Sequence, residues 1–91
     1  MDIPKAVRGF FDSEGRMKSW PAKFSKQQIA LGLLAEKFEI GKEYTEREVN
    51  ELLGELHTFN DPAQLRRSMI EHKLLDRTQD GRKYWRTSNN A

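Results

Sequence analysis

The stretch from residue 61 to residue 87 reads DPAQLRRSMIEHKLLDRTQDGRKYWRT. Asp61 followed by Pro62 and, three positions after the Asp, Gln64 is a helix start, because the Asp side chain caps free backbone N–H groups and proline suits the first helical position. The helix predicted over about 62–73 runs into Leu74-Leu75-Asp76-Arg77-Thr78-Gln79. Then come Asp80-Gly81 and a second short run, Arg82 to Thr87. Asp-Gly between two such runs predicts a two-residue hairpin turn, since a type I′ turn needs positive φ at both central positions. A helix that passes directly into a β-hairpin is therefore the C-terminal half of the fold.

Working back from residue 61, two more helix starts show a cap residue with Glu or Gln three positions later. They are Thr45 with Glu48 and Ser25 with Gln28. The first helix, about 26–38, is nearly all apolar through Ile29, Ala30, Leu31, Leu33, Leu34 and Ala35, so it reads as central. The second, about 46–58, places Val49, Leu52, Leu53 and Leu56 on one stripe with its glutamates outward. Arg16 to Trp20 is expected to add a short N-terminal strand, with Asp12-Ser13-Glu14-Gly15 as the turn before it. Ser88 to Ala91 is expected to fray. Three helices ending in a hairpin wing predict an α+β, winged-helix-like domain spanning residues 1–91, with an ordered core of about 10–87.

The 91 residues, 36% of them hydrophobic, suffice for one modest core. There is no cysteine, which removes disulfides and thiolate metal sites and favours a reducing compartment. No apolar run nears the length of a membrane span, so a cytoplasmic protein without membrane contact is expected. The net charge of +2 is unevenly spread: residues 29–60 hold seven glutamates against three basic residues, while residues 61–91 hold seven Lys/Arg against four acids. Residues 1–28 hold six Lys/Arg against three acids, so a fold that brings the two ends together would have a basic side and an acidic side.

Five ordered motifs carry a family resemblance. They are Phe10-Phe11-Asp12-x-x-Gly15-Arg16-x-Lys18-x-x-Pro21-x-Lys23, Leu34-Ala35-Glu36-Lys37-Phe38, Tyr44-Thr45-Glu46-x-Glu48-Val49-Asn50, Leu65-Arg66-Arg67, and Leu75-Asp76-Arg77-x-x-Asp80-Gly81-x-x-Tyr84-Trp85-Arg86. Together they resemble the bacterial domain-of-unknown-function family 2087, over about residues 10–86. The resemblance implies a domain found alone or appended to helix-turn-helix transcription regulators. It implies a winged-helix-like shape and supplies no catalytic residues. Lys73 departs from it, standing where such proteins tend to have the glycine that ends the third helix. A lysine in a left-handed cap costs about 1 kcal/mol, so a differently built junction is expected there.

The chemistry of a catalyst is sparse. His57 and His72 lack zinc-ligand spacing, no serine sits in a nucleophile elbow, and the glycines form no phosphate loop, so no metal, cofactor or enzymatic activity is expected. Each histidine is expected near a helix C-terminus, where a cation offsets the dipole. Nucleic-acid binding is the leading expectation: the third helix and the wing contact duplex DNA, with Gln64, Arg67, Arg82, Lys83 and Arg86 as contact residues and Arg77 adding charge. Arg66 falls inside the apolar arc of the third helix and is expected to be structural, paired with Glu48 or Asp76. Tyr84 and Trp85 point to opposite faces of a strand, so one belongs to the core, and Trp85 is assigned the structural role. The alternative is a protein-interaction or dimerisation module binding a partner protein or forming a homodimer.

Overall fold

The computed structural model describes residues 2–87, and Ser88 to Ala91 lie outside the described residues. A 3-10 turn at Lys5–Phe10 leads into helix α1, Phe24–Ala35. Strand β1, Glu43–Tyr44, precedes α2, Glu46–Leu56, and α3, Pro62–Glu71. Strands β2, Leu75–Arg77, and β3, Tyr84–Arg86, close the chain. The sheet is antiparallel in the order β1-β3-β2, so β1 lies on the open edge of the hairpin. Helix, strand, two helices and a hairpin, with the early strand completing the sheet, is an α+β arrangement consistent with the winged-helix-like order expected from the sequence, and the hairpin loop is called the wing.

The second and third helices begin as their sequences predict. Thr45 Oγ1 accepts from the Glu48 N–H at 3.1 Å while Glu48 Oε1 accepts from the Thr45 N–H at 2.8 Å. Asp61 Oδ1 accepts from the Gln64 N–H at 3.2 Å with Pro62 in the first turn. The first helix begins differently. Its N-cap is Lys23 with no side-chain cap, so Ser25 lies inside the first turn rather than before it. Gln27 ties the preceding loop instead, donating its side-chain amide to the Pro21 carbonyl at 2.9 Å.

Two strand expectations change. Arg16 to Trp20 forms no strand: Met17 alone bridges Phe11 on one side and His57 on the other, after the Asp12–Gly15 turn. The third strand of the sheet is Glu43–Tyr44, too short to show any periodicity of its own. The hairpin turn is also wider than two residues. Thr78 N–H donates to Lys83 O at 2.9 Å and Gly81 N–H to Thr78 O at 2.9 Å, and of the Asp80-Gly81 pair only Gly81 has positive φ, 73°. Thr78 Oγ1 organises this loop, donating to Asp80 Oδ1 at 2.7 Å and accepting from the N–H groups of Arg82 and Lys83 at 3.2 Å each.

The core lies between the helices and one face of the sheet. Leu31, Phe38, Val49, Leu53, Leu65, Met69 and Leu75 are all essentially inaccessible, and Val7 and Met17 from the N-terminal segment join them. Of the adjacent aromatics in β3 it is Tyr84, 4% exposed, that enters this core, while Trp85 is half-buried on the opposite face. Tyr84 is therefore the core member of the pair, and Trp85, assigned a structural role from the sequence, is not part of the buried core. Among the described residues no helix is long and apolar enough to cross a membrane.

Helix α3 ends in a left-handed residue despite lacking glycine. Lys73 has φ 63°, with its N–H on Ile70 O at 3.0 Å and the Leu74 N–H on Met69 O at 2.9 Å, the paired bonds of a Schellman motif. The junction expected to be rebuilt around Lys73 keeps the glycine geometry and carries the strain. Its carbonyl then accepts from the Thr87 hydroxyl at 2.8 Å, which pins the end of β3 to the end of α3.

Both histidines stand at the helix ends expected for them, His57 as the C-cap of α2 and His72 as that of α3, and both are buried there. His57 is 5% exposed, and its Nε2 accepts from the Asp61 N–H at 2.8 Å. A backbone N–H only donates, so the proton sits on Nδ1, which donates to Leu53 O at 2.6 Å. The ring thus splices the end of α2 to the cap of α3. His72, also 5% exposed, caps the end of α3 and stacks on Phe24 at 4.0 Å between centroids. Its Nδ1 lies 2.6 Å from Gln28 Oε1 and its Nε2 lies 3.2 Å from Gln27 Oε1. Burial pushes the His72 pKa below the ordinary histidine value, and the nearby Glu71 carboxylate offsets only part of that.

Candidate nucleic-acid interface

A cleft of about 420 Å3 separates α3 from the wing loop. Three guanidinium groups border it: Arg66 and Arg67 from α3 and Arg77 from the end of β2. Ile70 and Tyr84 line it as well, Glu46 and Asp80 contribute carboxylates, and Gly81 borders it from the wing. A Cβ at Gly81 would stand 3.5 Å from Arg77 Nη1 and 4.0 Å from the Tyr84 hydroxyl, in a left-handed backbone that disfavours any side chain.

Each charge has a traceable setting. Arg66 is nearly buried, its side chain 14% exposed, and Nη1 donates to Asn50 Oδ1 at 2.5 Å with Glu46 Oε2 at 4.0 Å. Its partners come from α2, so Glu48, which is occupied by its capping bond, and Asp76 are not the ones used. Glu46 also accepts from the Tyr84 hydroxyl at 3.4 Å. Arg77 Nη1 donates to the carbonyls of Thr78 and Gln79 at 3.3 and 3.4 Å. Asp80 is held by the Thr78 hydroxyl first and by the Arg82 N–H next, which keeps its carboxyl below the usual range. The Arg82 guanidinium adds a contact at 3.6 Å.

The five expected contact residues fall in different places. Arg67 is exposed on α3 and faces the cleft, while Gln64 is half-buried in the first turn of that helix. Arg82 and Lys83 are exposed in the wing loop, where Lys83 Nζ lies 3.2 Å from Glu43 Oε1 on β1. Arg86 is half-buried and donates to Phe38 O at 3.2 Å, holding β3 to the segment after α1. Its guanidinium is therefore spent on the fold, and it does not border the cleft. The sequence reading missed the place of Glu46 and Arg66 beside the cleft. Helical spacing turns Glu46 outward with the other glutamates of the second helix, yet the first turn of α2 borders the cleft. The signal was present in Glu46 and Asn50, which lie four apart on one helical face.

Among the described residues no group of three or more His, Asp or Glu side chains is arranged to hold a metal ion. No curated protein and no solved structure matches this chain. A family model described as an uncharacterized protein conserved in bacteria, DUF2087, matches residues 16–86, from the Arg16 that follows the N-terminal turn to the last residue of β3. That match covers most of the chain, including the helices, the sheet and every residue of the cleft, and the chain belongs to the bacterial family DUF2087.

Proposed function

We propose that this domain binds duplex DNA weakly through α3 and the wing, and that it does so as a non-catalytic module in a regulatory setting. The observation that carries the reading is the excess of guanidinium over carboxylate between these two elements. Arg66, Arg67 and Arg77 border one cleft, and Arg82 and Lys83 stand exposed beside it on the wing. In winged helices the third helix commonly enters the major groove while the wing touches backbone phosphates, which places cations of this kind against DNA. A few phosphate contacts correspond to micromolar affinity that falls steeply between about 50 and 200 mM salt.

Fluorescence anisotropy with mixed-sequence duplexes at low salt tests the reading. Binding whose logarithmic affinity falls linearly with the logarithm of salt supports it, and no binding at high micromolar protein rejects it. A protein-interaction role draws on another observation: Phe24 and Ile40 are 58% and 60% exposed, both large apolar side chains outside the cleft. Association through them would be insensitive to salt and visible as a change in oligomeric state.

A further inference from the structure

We propose that the cleft between α3 and the wing is a phosphate seat, in which Arg67 and Arg77 grip the phosphate oxygens from two sides and Arg66 supplies charge from behind. The proposal deepens the DNA-binding reading but does not require it, since a free phosphate ester offers the same chemistry as a backbone phosphodiester.

Three guanidinium groups meet at this cleft, and the acids beside them are poorly placed to neutralise them. Glu46 is 4.0 Å from Arg66, a long contact, and it also takes the Tyr84 hydroxyl. Asp80 also lines the cleft, but its carboxylate is engaged by the Thr78 hydroxyl, the Arg82 N–H and the Arg82 guanidinium. Arg67 makes no ion pair among the described residues, and Arg77 is bonded only to two carbonyls. Those carbonyl bonds use one nitrogen of Arg77 and leave its other N–H groups without a partner among the described residues.

Gly81 borders the cleft at φ 73°, a left-handed backbone that favours glycine, so the wing meets Arg77 and Tyr84 through backbone and not through a side chain. Arginine forks match phosphate oxygens in pairs, and a tetrahedral phosphate presents more oxygens, in more directions, to donors on opposite walls than a planar carboxylate does. Arg66, nearly buried and anchored on Asn50, is a preorganised charge at the back of the cleft. A strand backbone seated here would cross between the third helix and the wing, the path that the DNA reading requires.

Inorganic phosphate is the probe, titrated into the full chain at constant ionic strength and followed by amide correlation spectra. The expected result is saturable shifts confined to residues around Arg66, Arg67 and Arg77 to Gly81, weakened about tenfold by Arg67→Gln and by Arg77→Gln. Arg47→Gln, on the exposed face of α2, should leave them unchanged. Thermal melts of both cleft variants confirm that they fold. Duplex binding is measured on the same proteins. If phosphate and DNA are both lost in the cleft variants, the seat serves the DNA backbone. If phosphate binds saturably and no duplex binds, the seat stands as a site for free phosphate esters and the DNA reading falls. If phosphate gives no saturable shifts, or the variants shift like the parent, the proposal is overturned even where duplex binding persists.

Discussion

Arg66 on α3 donates to the side-chain oxygen of Asn50 on α2 at 2.5 Å, so the short contact of a charged residue on the buried side of one helix is to a neutral amide on the next, with the Glu46 carboxylate farther off at 4.0 Å. Removing the guanidinium leaves the Asn50 oxygen and a nearly buried space without a partner, at a cost of about 1–3 kcal/mol. For a chain of this size that corresponds to a melting temperature lower by roughly 4–8 °C for each kcal/mol. Arg66→Ala should show this fall and Arg67→Ala, on the exposed side of the same helix, should not. Equal effects in thermal melts would reject the structural role of Arg66.

His72 makes stability depend on mild acid. Its folded pKa lies below the ordinary value near 6.5, so between the two values the unfolded chain binds more protons than the folded one. Stability is therefore complete above the unfolded pKa and declines as pH falls from there toward the folded pKa. The expected outcome is a lower melting temperature at pH 5.5 than at pH 7.5, with that part of the difference reduced in His72→Gln. The ring resonances of His72 supply the direct check: a midpoint at or above the ordinary histidine value contradicts the prediction.

Lys73 holds a backbone conformation that glycine adopts freely. At φ 63° the left-handed strain is about 1 kcal/mol, partly offset by the extra freedom that glycine gives the unfolded chain. Lys73→Gly should thus raise stability by about 0.5 kcal/mol in urea unfolding, without a change in the denaturant slope. A loss of stability would mean that the lysine side chain contributes more than its backbone costs.

Lys83 is exposed on the wing and paired with Glu43 across the sheet. Duplex phosphate has to compete with that carboxylate, so Glu43→Gln should tighten DNA binding while Lys83→Gln weakens it for all sequences and lowers the salt slope by about one unit. Opposite signs for the two variants are the signature to look for. Weakening by Glu43→Gln would remove Lys83 from the interface.

Chelation should leave the fold untouched, because the chain has no cysteine and its two histidines are engaged in hydrogen bonds within the domain. Identical melts with and without EDTA are expected. A drop in melting temperature, or a stoichiometric metal in elemental analysis, would refute this.

The features legible along the chain are those whose causes lie within a few residues. Thr45 with Glu48, and Asp61 with Pro62, begin helices because capping acts over three positions, and the apolar stripe of α2 declares its buried side through spacing alone. The hairpin was legible as Asp80-Gly81, although Thr78, by bonding Asp80 and two backbone N–H groups, widened the loop that joins its strands. Ser25 carries the same cap pattern and is not a cap, since α1 starts earlier and Gln27 secures its loop through Pro21.

What tertiary structure alone decided involves partners far apart in sequence. Glu43–Tyr44 is a strand only because β3 lies beside it, and Arg66 chose Asn50 and Glu46 because α2 crosses α3 there. Whether Tyr84 or Trp85 faced inward depended on which face of the sheet the helices cover, which strand alternation leaves open. The histidines were read as helix-end cations from position, yet burial against Leu53 and Asp61 for His57, and against Phe24 and the two glutamines for His72, set their roles. Local hydrogen bonding writes itself into neighbouring residues, whereas desolvation and charge pairing depend on what the folded chain brings to the same place.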